Sequence, residues 1–276
     1  MDARCLERAA IVSLLSRILE IKRREVDALC RKDRTTARRE SIDVVGVLRR
    51  PEGAALRLIA EVKLRSPSAG ALSRKLAPGE RAFVYAESGA SMVSILCDGP
   101  FFDGSWEHLS QARACLDTRP NPIPVLAKEF VIHERQVQEA SDRGADSVLL
   151  IARILTPARL TELVAMARAE RIEPLVEVVD ERELEMATRA QARLVGVNAR
   201  DLDTLHLDSA RARRVLEGIP PSIVAIHFSG LREPKDIAMV AQGRADAALV
   251  GEGLMRADDP RPHLLRMADA ARGDRS

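Results

Sequence analysis

The sequence predicts an α/β fold with a closed parallel sheet, on three observations. Eight short apolar runs begin near residues 56, 91, 123, 146, 173, 193, 222 and 247. Their spacing is about 20 to 35 residues, the length of one strand plus one helix. Amphipathic stretches such as "ERQVQEASDRGA", "PARLTELVAMARAE" and "ERELEMATRAQA" fill the gaps. Eight such units favour a barrel over an open doubly wound sheet. No glycine-rich dinucleotide fingerprint follows the first run. The expected architecture is a (β/α)8 TIM barrel with an N-terminal helical extension.

Residues 1–50 read as that extension, helical and basic. Ile11, Leu14, Leu15, Ile18 and Ile21 recur at helical spacing with Arg and Lys between them. The groups "KRRE" and "RKDR" read as a solvated helix face in preference to an anion-binding arm. Residues 51–276 read as the barrel. Its expected strands are "LRLIAEVK", "SMVSILCD", "IPVLAKEF", "DSVLLIAR", "EPLVEVVD", "RLVGVNAR", "SIVAIHFSG" and "AALVGEG". "GADSVLL" and "RADAALV" each bring a helix end straight into a strand, as one joint used twice. No Pro/Ser-rich linker interrupts the repeat, so residues 1–276 are expected to form a single domain.

Composition narrows the function classes. The 276 residues are 46% hydrophobic, enough for a sizeable core. Lys and Arg number 43 against 41 Asp and Glu, a formal charge of +2, which argues against binding nucleic acid through phosphate attraction. Aromatics at 3% leave little for base stacking. Cys5, Cys30, Cys97 and Cys115 lack metal-ligand or CxxC spacing and read as free thiols in a reducing compartment. The start "MDARCLERAA" carries charges where a signal peptide needs an apolar segment, and no run approaches the ~20 residues of a membrane span. The expectation is a soluble, cytoplasmic protein that contacts neither membrane nor nucleic acid.

Barrel active sites lie at the C-terminal ends of the strands, and polar residues collect there. The first run ends with Glu61 and Lys63, and the third with Lys128, Glu129 and Phe130. The fifth carries Glu177, and the sixth Asn198 and Arg200. Alternation puts Leu126, Lys128 and Phe130 on one side of their strand. It does the same for Leu175 with Glu177, and for Gly196 with Asn198 and Arg200. If those sides face the axis, two Lys, two Glu and an Asn converge. The competing reading is a structural ion-pair layer inside the barrel. The last two runs end in Ser229-Gly230 and in Gly251-Glu252-Gly253. Glycines let backbone approach an anion, and loops after strands seven and eight are the usual phosphate site of such barrels. "SPSAG" adds the hydroxyls of Ser66 and Ser68.

From "ILEIKRREV" to "GEGLMRADDP" the chain resembles the indole-3-glycerol phosphate synthase family of tryptophan biosynthesis. The motifs are "IAEVKLRSPSAG", "FFDGSWEHL", "VLAKEFVIHERQVQEASDRGADSVLLIA", "LVEVVDERELEMA", "GVNARDLDTLHLD", "SG" and "VGEGLMR". The resemblance implies conversion of 1-(2-carboxyphenylamino)-1-deoxyribulose 5-phosphate into indole-3-glycerol phosphate, carbon dioxide and water, with no metal and no cofactor. It implies that Lys128 is the general acid and that Lys63 meets the anthranilate carboxylate. It further implies that Glu177 transfers protons, Glu61 positions Lys63, and Asn198 holds polar groups of the substrate. Phosphate would be gripped by Ser66, Gly230, Gly251 and the backbone at Glu252, with Ser229 close by. Arg200 would lie near the substrate, and Phe102, Phe130 and Leu149 would hold the ring. A monomer is expected, and work beside other tryptophan-pathway enzymes stays open.

The chain departs from the family pattern in places. Phe228 stands where Glu is usual before Ser-Gly, Ala199 where Asn or Ser is common, and Cys97 where Thr is usual. Glu129 stands where Asp is usual, and Gly253 replaces a small Ser or Ala. Phe228 keeps a second reading open, a non-catalytic or specialised paralogue that binds a related phosphorylated ligand. A third, the isomerase one step earlier, is expected to need a Cys/Asp pair and leaves Lys128 unexplained.

Overall fold

The computed structural model describes residues 14–34, 40–67, 69–201 and 204–273. The eight apolar runs form one closed parallel barrel. Its strands are β1 (Arg57–Val62), β2 (Met92–Leu96), β3 (Val125–Lys128), β4 (Ser147–Ile151), β5 (Glu173–Val178), β6 (Leu194–Asn198), β7 (Val224–Phe228) and β8 (Ala247–Val250). Each pairs with its neighbours in chain order, and β8 closes on β1 with Ala247 opposite Arg57 and Val250 opposite Ala60. Helices α1 (Leu14–Cys30) and α2 (Val44–Leu48) precede β1, and α3 (Pro78–Glu87) follows it. The crossovers continue as α4 (Gly99–Phe102), α5 (Trp106–Asp117), α6 (Glu134–Asp142), α7 (Pro157–Ala169), α8 (Glu181–Arg189), α9 (Ser209–Glu217) and α10 (Pro234–Ala241). After β8 come α11 (Glu252–Met255) and α12 (Arg261–Ala270).

Local chemistry explains these boundaries. Ser105, Thr156, Asp180 and Asp208 each accept a backbone N–H three residues on, capping α5, α7, α8 and α9. Pro78, Pro157 and Pro234 open their helices, where a missing N–H costs nothing. Along each strand, alternate residues serve different cores. Val93, Ile95, Val148, Leu150, Val195 and Val197 face outward against the helices. Ile59, Met92, Leu126, Leu149, Leu175, Leu194 and Ile226 fill the barrel. Both faces are covered, so the strands read as continuous apolar runs.

The N-terminal extension is less uniform than its periodicity suggests. Among the described residues, α1 ends at Cys30 and only the single turn of α2 follows before β1. Ile11 and Cys5 lie outside the described residues. Leu15 and Ile18 of α1 join the cluster that fills the barrel, as do Val44 and Leu48 of α2. The reading of the basic groups as a solvated face needs correcting. Arg23 and Arg24 are exposed, but Lys22 is fully buried. Arg34 pairs with Asp142 at 3.0 Å and with Glu170 at 2.5 Å.

The repeated joint is real. Asp146, just before β4, accepts the backbone N–H groups of Ile42 at 3.0 Å and Val125 at 2.9 Å. Asp246, just before β8, accepts those of Arg50 at 3.1 Å and Ala225 at 2.8 Å. A guanidinium backs each carboxylate, Arg113 behind Asp146 and Arg244 behind Asp246. Both flanks of α2 are thereby fixed to the N-terminal ends of β4 and β8, so α2 plugs the base. Cys30, Cys97 and Cys115 are free thiols. Among the described residues no helix is long and apolar enough to cross a membrane.

Candidate active site

A cavity opens at the C-terminal mouth, and Glu61, Lys63, Lys128, Glu177 and Asn198 line it together. They arrive on four strand ends, β1, β3, β5 and β6, because period-two alternation turns each inward at its last turn of strand. Lys63 Nζ lies 2.6 Å from Glu61 Oε1. Lys128 Nζ lies 3.3 Å from Glu177 Oε2. The other Glu177 oxygen accepts the Asn198 amide N–H at 3.0 Å. Asn198 Oδ1 in turn accepts the Ser229 hydroxyl at 2.7 Å and the Arg200 backbone N–H at 3.0 Å. A polar relay thus runs from β3 across β5 and β6 to the end of β7.

Exposure separates this arrangement from a sealed ion layer. The Glu61 and Glu177 side chains are 4% and 2% exposed, whereas both lysines retain 17%. The carboxylates form the buried backing, and the ammonium tips open into the cavity. A buried carboxylate left unpaired is costly, so each glutamate fixes its lysine.

An apolar wall faces the lysines. The Phe102 and Phe130 rings lie 6.0 Å apart, tilted by 36°. Leu149 and Phe228 line the same space, and Leu14 and Ile18 of α1 complete it. The sequence reading placed no α1 residue at the site, although its apolar stripe was the available signal. Phe228 is 2% exposed and lies beneath Lys128, whose Nζ is 5.3 Å from the ring centroid. Gly196 makes room for that ring, since a Cβ there would meet Phe228 Cζ at 2.6 Å.

The opposite side is small and polar. Ser229 (φ 69°) and Gly230 (φ 81°) turn the backbone left-handed after β7. A Cβ on Gly251 would sit 2.5 Å from Glu61 Oε1 and 3.3 Å from Lys63 Nζ, so the Lys63 pair stands against bare backbone. The Glu252 carboxylate pairs with Arg256 at 2.7 Å and Arg232 at 3.1 Å. Burial pushes its pKa up, but Arg256, Arg232 and Lys63 outweigh burial and hold it below the usual carboxylate value. Arg232 lines the cavity and was missed in the sequence, where "SGLREP" offered it two residues beyond Gly230. Beneath this loop, buried Arg81 donates to the Leu254 and Ala257 carbonyls, and Tyr85 meets Met255.

One expected residue, Ser66, does not line the cavity. It is buried, and its hydroxyl accepts the Ala69 N–H at 3.1 Å. Ser68 lies outside the described residues. Arg200 lines the cavity, with its guanidinium donating to the Leu205 carbonyl at 2.9 Å.

Comparison with known proteins agrees with this geometry. The family model for indole-3-glycerol phosphate synthase matches residues 13–267. An indole-3-glycerol phosphate synthase of Polaromonas naphthalenivorans is 38% identical over 255 residues, covering 90% of this chain and 95% of that protein. One of Desulfosudis oleivorans is 42% identical over 203 residues, covering 73% and 75%. One of Mycobacterium ulcerans is 39% identical over 229 residues, covering 83% and 81%. Among solved structures, 3-hexulose-6-phosphate synthase from Salmonella typhimurium superposes with a TM-score of 0.61 at 14% identity, over 78% of this chain and 98% of that one. At that identity the likeness concerns the barrel alone. The family match across nearly the whole chain, with relatives near 40% identity, is the stronger finding, and by it the chain belongs to the indole-3-glycerol phosphate synthase family.

Proposed function

We propose that the chain closes, decarboxylates and dehydrates 1-(2-carboxyphenylamino)-1-deoxyribulose 5-phosphate to give indole-3-glycerol phosphate. The observation that carries this reading is the Lys128–Glu177 pair, 3.3 Å apart, between an aromatic wall and a bare glycine cradle in one cavity. The aniline ring fits between Phe102, Phe130 and Leu149. The phosphate fits the backbone at Gly230, Gly251 and Glu252, with the Ser229 hydroxyl and Arg232 nearby. Ring closure needs a proton on the ribulose carbonyl as the aromatic carbon attacks it, and Lys128 supplies that proton. Glu177 holds Lys128 and takes part in the later proton transfers. Asn198 fixes Glu177 and presents its amide to substrate hydroxyls. Lys63 meets the anthranilate carboxylate, and Glu61 fixes its direction. Loss of carbon dioxide and then of water restores aromaticity, which drives the sequence downhill. The enzyme's share is placement and proton delivery.

Phe228 is compatible with this chemistry, because its ring lies beneath Lys128 as part of the apolar floor. A cytoplasmic monomer belongs to the same reading, to be checked by light scattering and cell fractionation. The test of function is direct. Purified protein given the carboxyphenylamino substrate produces indole fluorescence without added metal. Lys128→Ala lowers kcat by about 10²- to 10⁴-fold with its circular dichroism unchanged. Absence of turnover in the unmodified protein sinks the reading, and normal turnover in the variant removes Lys128 as the acid.

A further inference from the structure

The most unusual charge in the molecule is outside the reacting set. Lys22 of α1 has no exposed surface. Its ammonium lies 2.8 Å from Asp98 and 2.8 Å from Glu129, both buried, and 2.7 Å from Glu25 on its own helix. Each of the two distant carboxylates is tied by hydrogen bonds to a different wall of the cavity. Asp98 Oδ1 caps α4 by accepting the Phe101 N–H at 2.9 Å, and α4 carries Phe102. Glu129 follows Lys128 in the chain and accepts the Phe130 N–H at 2.7 Å. Lys22 itself sits one helical turn after Ile18, which lines the cavity. One ammonium therefore joins α1, the β2–α4 loop and the end of β3, the three segments that hold the aromatic ring site.

We propose that Lys22 is a positioning residue, a buried clasp that holds α1 and Phe102 against Phe130 and so shapes the aromatic half of the cavity. The inference rests on the function proposed above and deepens it. Taking a lysine wholly out of water is expensive, and a salt bridge on the surface would hold a helix in place at far lower cost. Two carboxylates on different segments repay the burial only when α1 lies closed over the mouth. The phosphate cradle on β7 and β8 receives no bond from this cluster, so the two ends of the substrate report on it separately.

The test is steady-state kinetics of Lys22→Met in the full chain, beside the unmodified protein. The expected result is a KM for the carboxyphenylamino substrate raised about tenfold or more. The inhibition constant of inorganic phosphate should stay within about twofold, because the cradle is untouched. A merely structural role would lower the active fraction, and hence kcat, without moving KM. Unchanged KM, or equal weakening of substrate and phosphate, overturns the inference while leaving the function standing. No turnover in the unmodified protein overturns both. Should Lys22→Met fail to fold, Lys22→Met with Glu129→Gln removes one uncompensated carboxylate, and the same split in constants is read from it.

Discussion

At the scale of single residues, burial decides which charges are available for chemistry. Glu129 is wrapped by Lys22, Asp98 and the Phe130 backbone. Burial pushes its pKa up from 4.5 to about 7, with Lys22 pulling down and Asp98 pushing further up. Between those two values the native state holds a proton that the unfolded chain has released. Stability therefore falls as pH rises through that window, by the linkage of proton uptake to folding. The expected outcome is a difference curve: urea unfolding of the unmodified protein loses about 1–3 kcal/mol relative to Glu129→Gln between about pH 5 and pH 8. A flat difference would show Glu129 ionised throughout. Lys22 was hidden in the sequence for a related reason. Leu15, Ile18, Lys22, Val26 and Leu29 are the buried positions of α1. A lysine on that stripe was the signal, but "KRRE" reads as a charge run, and only tertiary structure brings Asp98 and Glu129 to it.

Among elements, the barrel strands were legible throughout and the extension only in part. Every barrel strand begins within two residues of its apolar run, because strands covered on both faces must be continuously apolar. The inward parity of Lys128, Glu177 and Asn198 followed from the same period of two. Helix α1 was legible as amphipathic, but its second role, as a wall of the cavity through Leu14 and Ile18, depends on where it docks. Ser66 lies just behind the cavity lining, buried, with its hydroxyl accepting the Ala69 N–H in the turn that follows it. The departure at Phe228 looked like a lost charge and proves to be a fitted ring. Strand β6 accommodates it with Gly196, where a Cβ would approach the ring to 2.6 Å. Gly196→Ala should then cost about 1–3 kcal/mol of unfolding free energy, seen as a lower urea midpoint at unchanged slope. No change would mean that β6 and β7 shift apart freely.

Residues that precede the first strand wall the barrel at its mouth and close it at its base. At the mouth α1 contributes wall and clasp, and at the base α2 is pinned between Asp146 and Asp246. The doubled "AD" joint was legible as a repeat, but its purpose was not, because its partners Ile42 and Arg50 are distant in sequence. Asp246→Ala removes three bonds, to Arg50, Ala225 and Arg244, and should destabilise by about 2–4 kcal/mol in equilibrium urea unfolding. A loss no larger than that of an exposed aspartate would show that the pin is idle. The Arg50 N–H is separated from its acceptor by 196 positions along the chain. During synthesis the lower plug can take its first hold, through Ile42 on Asp146, once β4 is made, but its second, through Arg50, waits for the final strand. The underside is therefore only half fastened until β8 has emerged, and a late strand decides when an early segment can settle.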